Sequence, residues 1–136
     1  MTPHELRNRT KKFATAIVRL VEAMPRSRAA DVIGNQLMRS GTSVAANYRA
    51  ACRARSLREF IAKMGIVEEE ADETEFWLDL AAQQRLGVPE QVETLRNEAE
   101  QLVAIIVSSI RTARRSRRSY PQSTIRNPQS PNPQCS

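Results

Sequence analysis

The run EEEADETE, Glu68 to Glu75, sets carboxylates at helical spacing, the raw material for a two-metal carboxylate site or for general acid and base pairs. A di-metal site inside a helical bundle asks for Glu-x-x-His on two of its helices. The chain has one histidine, His4, placed in an N-terminal stretch expected to fray, so that chemistry lacks its ligands. Glu69 with Glu73, or Asp72 with Glu75, would serve as acid and base only in a cleft that perturbs their pKa values. Ser43 and Cys52 have no neighbouring base to make either a nucleophile. Gly34, Gly41, Gly65 and Gly87 form no phosphate-binding loop. The pattern points away from an enzyme, with no catalytic residue, no metal ligand and no cofactor.

Arginine is the other concentrated chemistry. Arg49, Arg53, Arg55 and Arg58 crowd one short region, RSGTSVAANYRAACRARS and the residues just beyond it. Such a cluster reads as a solvated face, a surface paired with acids, or a nucleic-acid footprint. A second group, Arg111, Arg114, Arg115, Arg117 and Arg118, falls within RTARRSRRSY without an acid. It would concentrate positive potential and neutralise phosphates with release of counterions, or else serve as a solubilising tail. The small residues among the first group, Gly41, Ala45 and Ala51, suit a close helix crossing.

The formal charge of +6 is unevenly spread. Residues 1–63 hold thirteen bases against four acids, residues 64–110 two against eleven, and residues 111–136 six against none. Complementary segments of this kind steer surfaces together, within one chain or between copies in a head-to-tail ring. Phe76 and Trp77 lie beside the acids; one is expected to face the core and the other to be available as an interface anchor.

Helices must position these groups. At 136 residues the chain is one domain, with few glycines and aromatics and no alternating strand pattern. Leu6, Phe13, Ile17, Leu20, Val21 and Met24 form one apolar stripe, closed by Pro25. Ser27 is a candidate N-cap for a second helix with Ile33, Leu37, Val44, Ala45, Tyr48 and Cys52 on one face. Ser56-Leu57-Arg58-Glu59 has the form of a capping box. The third stripe runs Leu57, Phe60, Ile61, Met64, Val67, Ala71, Leu78 and Ala82, and ends at Leu86-Gly87. Pro89 suits the first turn of the fourth helix, with Val92, Leu95, Ala99, Leu102, Val103, Ile106 and Ile110.

The expected fold is all-α, an antiparallel up-down-up-down four-helix bundle over residues 1–118, with helices at about 4–24, 28–53, 57–86 and 89–117. Residues 119–136, rich in Pro, Ser, Gln and Asn, are expected to be a disordered tail. Cys52 and Cys135 lie far apart without C-x-x-C spacing, which fits a reduced, cytoplasmic setting. The longest apolar run, LVAIIV, is too short to span a bilayer, so no membrane partner is expected.

Residues 10–113 together resemble the four helix bundle protein family. That family includes proteins encoded in intervening sequences of bacterial 23S ribosomal RNA genes and accessory variability proteins of diversity-generating retroelements. Its segment Q-L-x-R-(S/A)-x-x-S-(I/V)-x-x-N is matched by Gln36, Leu37, Arg39, Ser40, Ser43, Val44 and Asn47. Arg55 and Ser56 match the basic turn, Phe60 the aromatic opening helix three, and Glu73 the later acid; Trp77 follows it. Many members continue after the Asn with Ile-Ala-Glu-Gly, where this chain has Tyr48-Arg49-Ala50-Ala51. The resemblance implies a non-enzymatic bundle assembling with itself as a homopentamer. For the retroelement members it implies binding of RNA or DNA and a reverse transcriptase partner.

Overall fold

A computed structural model describes residues 1–119, which form four helices: α1 (Pro3–Glu22), α2 (Arg28–Cys52), α3 (Leu57–Gln83) and α4 (Pro89–Ser119). The segment expected to be a disordered tail lies, from Tyr120 onward, outside the described residues, as does Cys135.

Each helix start is held by a side chain that takes up a free amide of the first turn or by a proline that has none. The N-terminal stretch, expected to fray, is capped. Thr2 Oγ1 accepts from the Glu5 N–H at 3.1 Å, while Glu5 Oε2 accepts from the Thr2 N–H at 2.8 Å, a full capping box with Pro3 in the first turn. Ser27 caps α2 through the Ala30 N–H. Ser56 caps α3 through the Glu59 N–H, but the Glu59 carboxylate reaches back one residue further than a capping box, to the Arg55 N–H at 3.2 Å.

The end of α3 departs from expectation. The helix stops at Gln83 rather than Leu86, because Arg85, at φ 56°, takes the left-handed position. The Leu86 N–H then bonds Ala81 O at 2.9 Å and the Arg85 N–H bonds Ala82 O at 3.1 Å, the Schellman pattern. Gly87 is also left-handed, at φ 76°, within the connection to α4.

The four apolar stripes meet in one core. Ile17, Leu37, Val44, Met64, Val67, Leu78, Leu102 and Ile106 are fully buried, with Phe13, Tyr48 and Phe60 around them. Val21, Ala45, Ile61, Ala82 and Val103, counted among the stripes, sit at its half-buried edge. Among the described residues three polar side chains are also buried, and each hydroxyl bonds a carbonyl of its own helix: Thr10 to Arg7, Ser40 to Gln36 and Thr74 to Glu70. No orphan donor results.

Cross-helix pairs give the direction of each helix. Gly34 meets Val21 and Gly41 meets Ile17, so α1 and α2 run oppositely. Arg39 meets Glu73 while Arg53 and Glu59 line one groove, so α2 and α3 do too. Arg96 pairs with Asp79 on the α3–α4 seam. On the fourth seam Arg9 pairs with Glu98, and Leu20 lies beside Glu90 and Leu95. The start of α1, the end of α2, the start of α3 and the end of α4 therefore share one end of the bundle.

Candidate nucleic-acid interface

Short connections and alternating helix direction bring separate basic segments of the sequence to that common end. Arg49 lies on the last turn of α2, Arg53 at its C-cap, Arg55 in the turn, Arg58 on the first turn of α3, and Arg111, Arg114, Arg115, Arg117 and Arg118 on the last turns of α4. All nine are exposed. Arg49, Arg53 and Arg55 line one open groove of about 450 Å³ together with Ala46, Ala50 and Glu59. The two acids nearest this end, Glu5 and Glu59, have their carboxylates on backbone amides.

Pairing separates the arginines into two populations. Toward the middle of the bundle they meet acids, Arg9 with Glu98, Arg39 with Glu70 and Glu73, and Arg96 with Asp79 and Glu93; at the far end Arg26 pairs with Asp31, while Arg19, Arg28 and Arg85 form no ion pair among the described residues. Among the described residues Arg49, Arg53, Arg55, Arg58, Arg111, Arg114, Arg117 and Arg118 form no ion pair. Cations on the last turns of α2 and α4 complement the helix dipoles. That accounts for a few of them, not for nine on one end.

The residues of the Gln-Leu-x-Arg segment form a ladder along α2. Gln36 Oε1 accepts from Arg39 Nε at 3.0 Å, Ser43 Oγ donates to Arg39 O at 2.6 Å, and Asn47 Nδ2 donates to Ser43 O at 2.9 Å. Arg39 then crosses to α3, donating to Glu70 Oε2 at 3.2 Å and pairing with Glu73. The hydrogen bond from Arg39 holds the Glu73 carboxyl below its ordinary pKa, and Trp77 Nε1 adds a second bond to it at 3.3 Å. Trp77 is half-buried against the core, and exposed Phe76 stands edge-on to it, ring centroids 5.0 Å apart. Ser56 and Phe60, as cap and core residue, position the turn that carries Arg55 and Arg58. These motif residues join α2 to α3 and hold the basic end in place.

The acids of α3 do not converge on a centre. Glu75 is pushed above its ordinary pKa, by burial first and then by Glu100 and Asp72. Among the described residues no group of three or more His, Cys, Asp or Glu is placed to hold a metal ion. No helix among them is long and apolar enough to cross a membrane.

Small residues divide by position. Gly41 and buried Ala51 pack inward, while Ala45, expected at a helix crossing, is half-buried on the floor of a groove between α1 and α2. That groove brings in His4, Arg7 and Lys11, three groups of α1 absent from the sequence-based site. Their signal was topological: once α1 and α2 are antiparallel neighbours, the start of one must lie beside the end of the other.

The family model described as 23S rRNA-intervening sequence protein matches residues 4–108. The chain belongs to that family. It is similar to a crystal structure of a protein with unknown function from the S23 ribosomal protein family, from Bacteroides thetaiotaomicron VPI-5482. The two are 33% identical, with a TM-score of 0.75, over 82% of this chain and 99% of that one. No curated protein matches the chain. The family match names the intervening-sequence proteins, and a retroelement role is not part of it.

Proposed function

We propose that this member of the 23S rRNA-intervening sequence protein family is a non-enzymatic nucleic-acid-binding protein that presents the basic end of its bundle to RNA or DNA. The observation that carries the reading is the number of unpaired arginines gathered at one end. Mid-bundle arginines have carboxylate partners, whereas eight at one end have none among the described residues. Neutralising phosphates is the chemistry such a surface favours, and it makes affinity fall steeply with salt.

The test replaces Arg111, Arg114, Arg117 and Arg118 together by Gln, which keeps helix propensity. Binding to a structured RNA and a DNA duplex is followed by fluorescence anisotropy across a salt series. The log–log slope should fall by up to about 3 to 4, at about 0.9 per lost phosphate contact. Absence of binding by the unaltered protein near physiological salt would defeat the reading.

Assembly with copies of itself, a pentamer on the resemblance, is a second reading. Exposed Phe76 amid the acids of α3 favours it, since the basic end of another copy complements that face. Sedimentation at low and high salt tests it. A salt-independent monomer would remove the ring and leave a single-copy binder. A reverse transcriptase working on the same nucleic acid is the protein partner that the resemblance adds, to be sought by co-purification.

A further inference from the structure

Arg7 and Lys11 of α1 face Arg49 and Arg53 of α2 across an open groove of about 520 Å³. Its floor is Thr42, Ala45 and Ala46, short side chains that leave room between the two basic walls. All four basic residues are exposed, and among the described residues none forms an ion pair. Ala46, Arg49 and Arg53 also border the groove that reaches Arg55, so the two grooves, one toward α1 and one toward the start of α3, share a basic rim. Glu59 borders the second, with Oε2 engaged by the Arg55 N–H.

Spacing and composition narrow the ligand. Arg7 and Lys11 are one turn apart, as are Arg49 and Arg53, which is about 6 Å at 1.5 Å per residue. Successive phosphates of one strand are separated by a similar through-space distance. Single strands are gripped without sequence preference by combining a basic groove with aromatic platforms on which bases stack. Among the described residues no Phe, Tyr or Trp lines the groove: Phe13, Tyr48 and Phe60 are buried, and Phe76 and Trp77 stand among the acids of α3. The one imidazole there, His4, has its Nε2 3.3 Å from Asn8 Nδ2 on its own helix, and a lone ring makes no run of stacking platforms. A duplex keeps its bases stacked on each other and offers phosphates alone to such a surface.

We propose that the α1–α2 groove seats the sugar–phosphate backbone of a helical nucleic-acid segment. Arg7 and Lys11 take phosphates from one wall and Arg49 and Arg53 from the other, without reading bases. This rests on nucleic-acid binding at the basic end, and adds to it a wall on α1 and the form of the bound strand.

The experiment measures binding of the full chain to a short RNA duplex, the matching DNA duplex and an unstructured single strand, each across a salt series. The double variant Arg7→Gln, Lys11→Gln is compared with Arg19→Gln, Arg28→Gln, which removes the same charge from exposed positions at the opposite end. Loss of two phosphate contacts should lower the duplex slope by about 2. The opposite-end pair should stay within about twofold of the unaltered protein, and Arg7→Lys should retain the slope, because either base neutralises one phosphate. Equal losses on RNA and DNA duplexes would assign the seat to phosphates of either; loss on RNA alone would assign it to the A-form backbone. If the unaltered protein binds and both double variants change the slope alike, the seat on α1 is wrong while binding at the basic end stands. A single strand bound as tightly as the duplexes would overturn the helical ligand. No binding of any probe would overturn both readings.

Discussion

Arg9 of α1 grips Glu98 of α4 with two hydrogen bonds, Nε to Oε2 at 2.7 Å and a terminal nitrogen to Oε1 at 2.6 Å. The same nitrogen also reaches Gln101 Oε1 at 2.7 Å. Both partners are about three-quarters buried, and the pair spans the seam where the first helix closes against the last. Two-point geometry and partial burial place it above an ordinary surface pair, with a coupling of about 0.5–1 kcal/mol. A double-mutant cycle with Arg9→Gln and Glu98→Gln, read by urea unfolding at low and high salt, should recover that coupling. A value near zero at low salt would reduce the pair to decoration.

Close approach at the α1–α2 seam predicts opposite outcomes for two glycines. A Cβ at Gly41 would stand 2.9, 3.0 and 3.2 Å from three atoms of Ile17, a fully buried core side chain. Overpacking of about 1–3 kcal/mol outweighs the helix gain of about 0.5–1 kcal/mol, so Gly41→Ala should destabilise by about 1–2 kcal/mol. At Gly65, in α3, nothing lies within 4 Å of the added Cβ, and Gly65→Ala should stabilise by about 0.5–1 kcal/mol. Chemical unfolding of both variants checks the pair, and a shared sign would contradict this account of the seam.

Helical period was enough to locate the core, since Phe13, Leu37, Phe60, Met64, Leu102 and Ile106 recur at steps that only one face of a helix satisfies. Local chemistry was enough for Ser27 and Ser56 as caps, because a cap is read from the residues beside it. What could not be read locally was set by neighbours. Arg39 and Arg49 are both exposed arginines of α2, yet only α3 decides that the first meets Glu70 and Glu73 and the second meets none. The α1 wall of the groove was illegible for the same reason. The Thr2–Glu5 box was legible in form but hidden in a charged stretch, and Gly87 concealed the earlier left-handed residue that ends α3.

That residue is Arg85, and a side chain at φ 56° is strained by contact between Cβ and the following carbonyl. Glycine escapes this contact but gives up more backbone entropy on folding. The balance favours Arg85→Gly by about 0.5–1 kcal/mol, visible as a higher urea midpoint with unchanged slope. Arg85→Val, β-branched, should move the midpoint the other way. A neutral pair of results would mean that the Schellman end of α3 opens before the protein unfolds.

Two glutamates of α3 should give stability profiles of opposite slope with pH. Glu73 is held below its ordinary pKa by Arg39, so the stability from that pair is fully present above the usual carboxylate range and is lost as pH falls through the lowered folded value. Glu75 is raised, by burial first and then by Glu100 and Asp72. Its contribution is present in acid, where the side chain is neutral in both states, and is lost as pH rises through the raised folded value. Arg39 and Glu73 are both more than a third exposed, which screens their pair to less than about 1 kcal/mol. Arg39→Met should therefore cost stability at neutral pH and progressively less in acid. Glu75→Gln should gain stability at neutral pH and nothing below the ordinary carboxylate range. Urea unfolding between about pH 3 and about pH 8 measures both differences. If Glu75→Gln instead loses stability at neutral pH, its carboxylate has a favourable partner in solution, and Arg96, which lowers the Glu75 pKa, would be that partner.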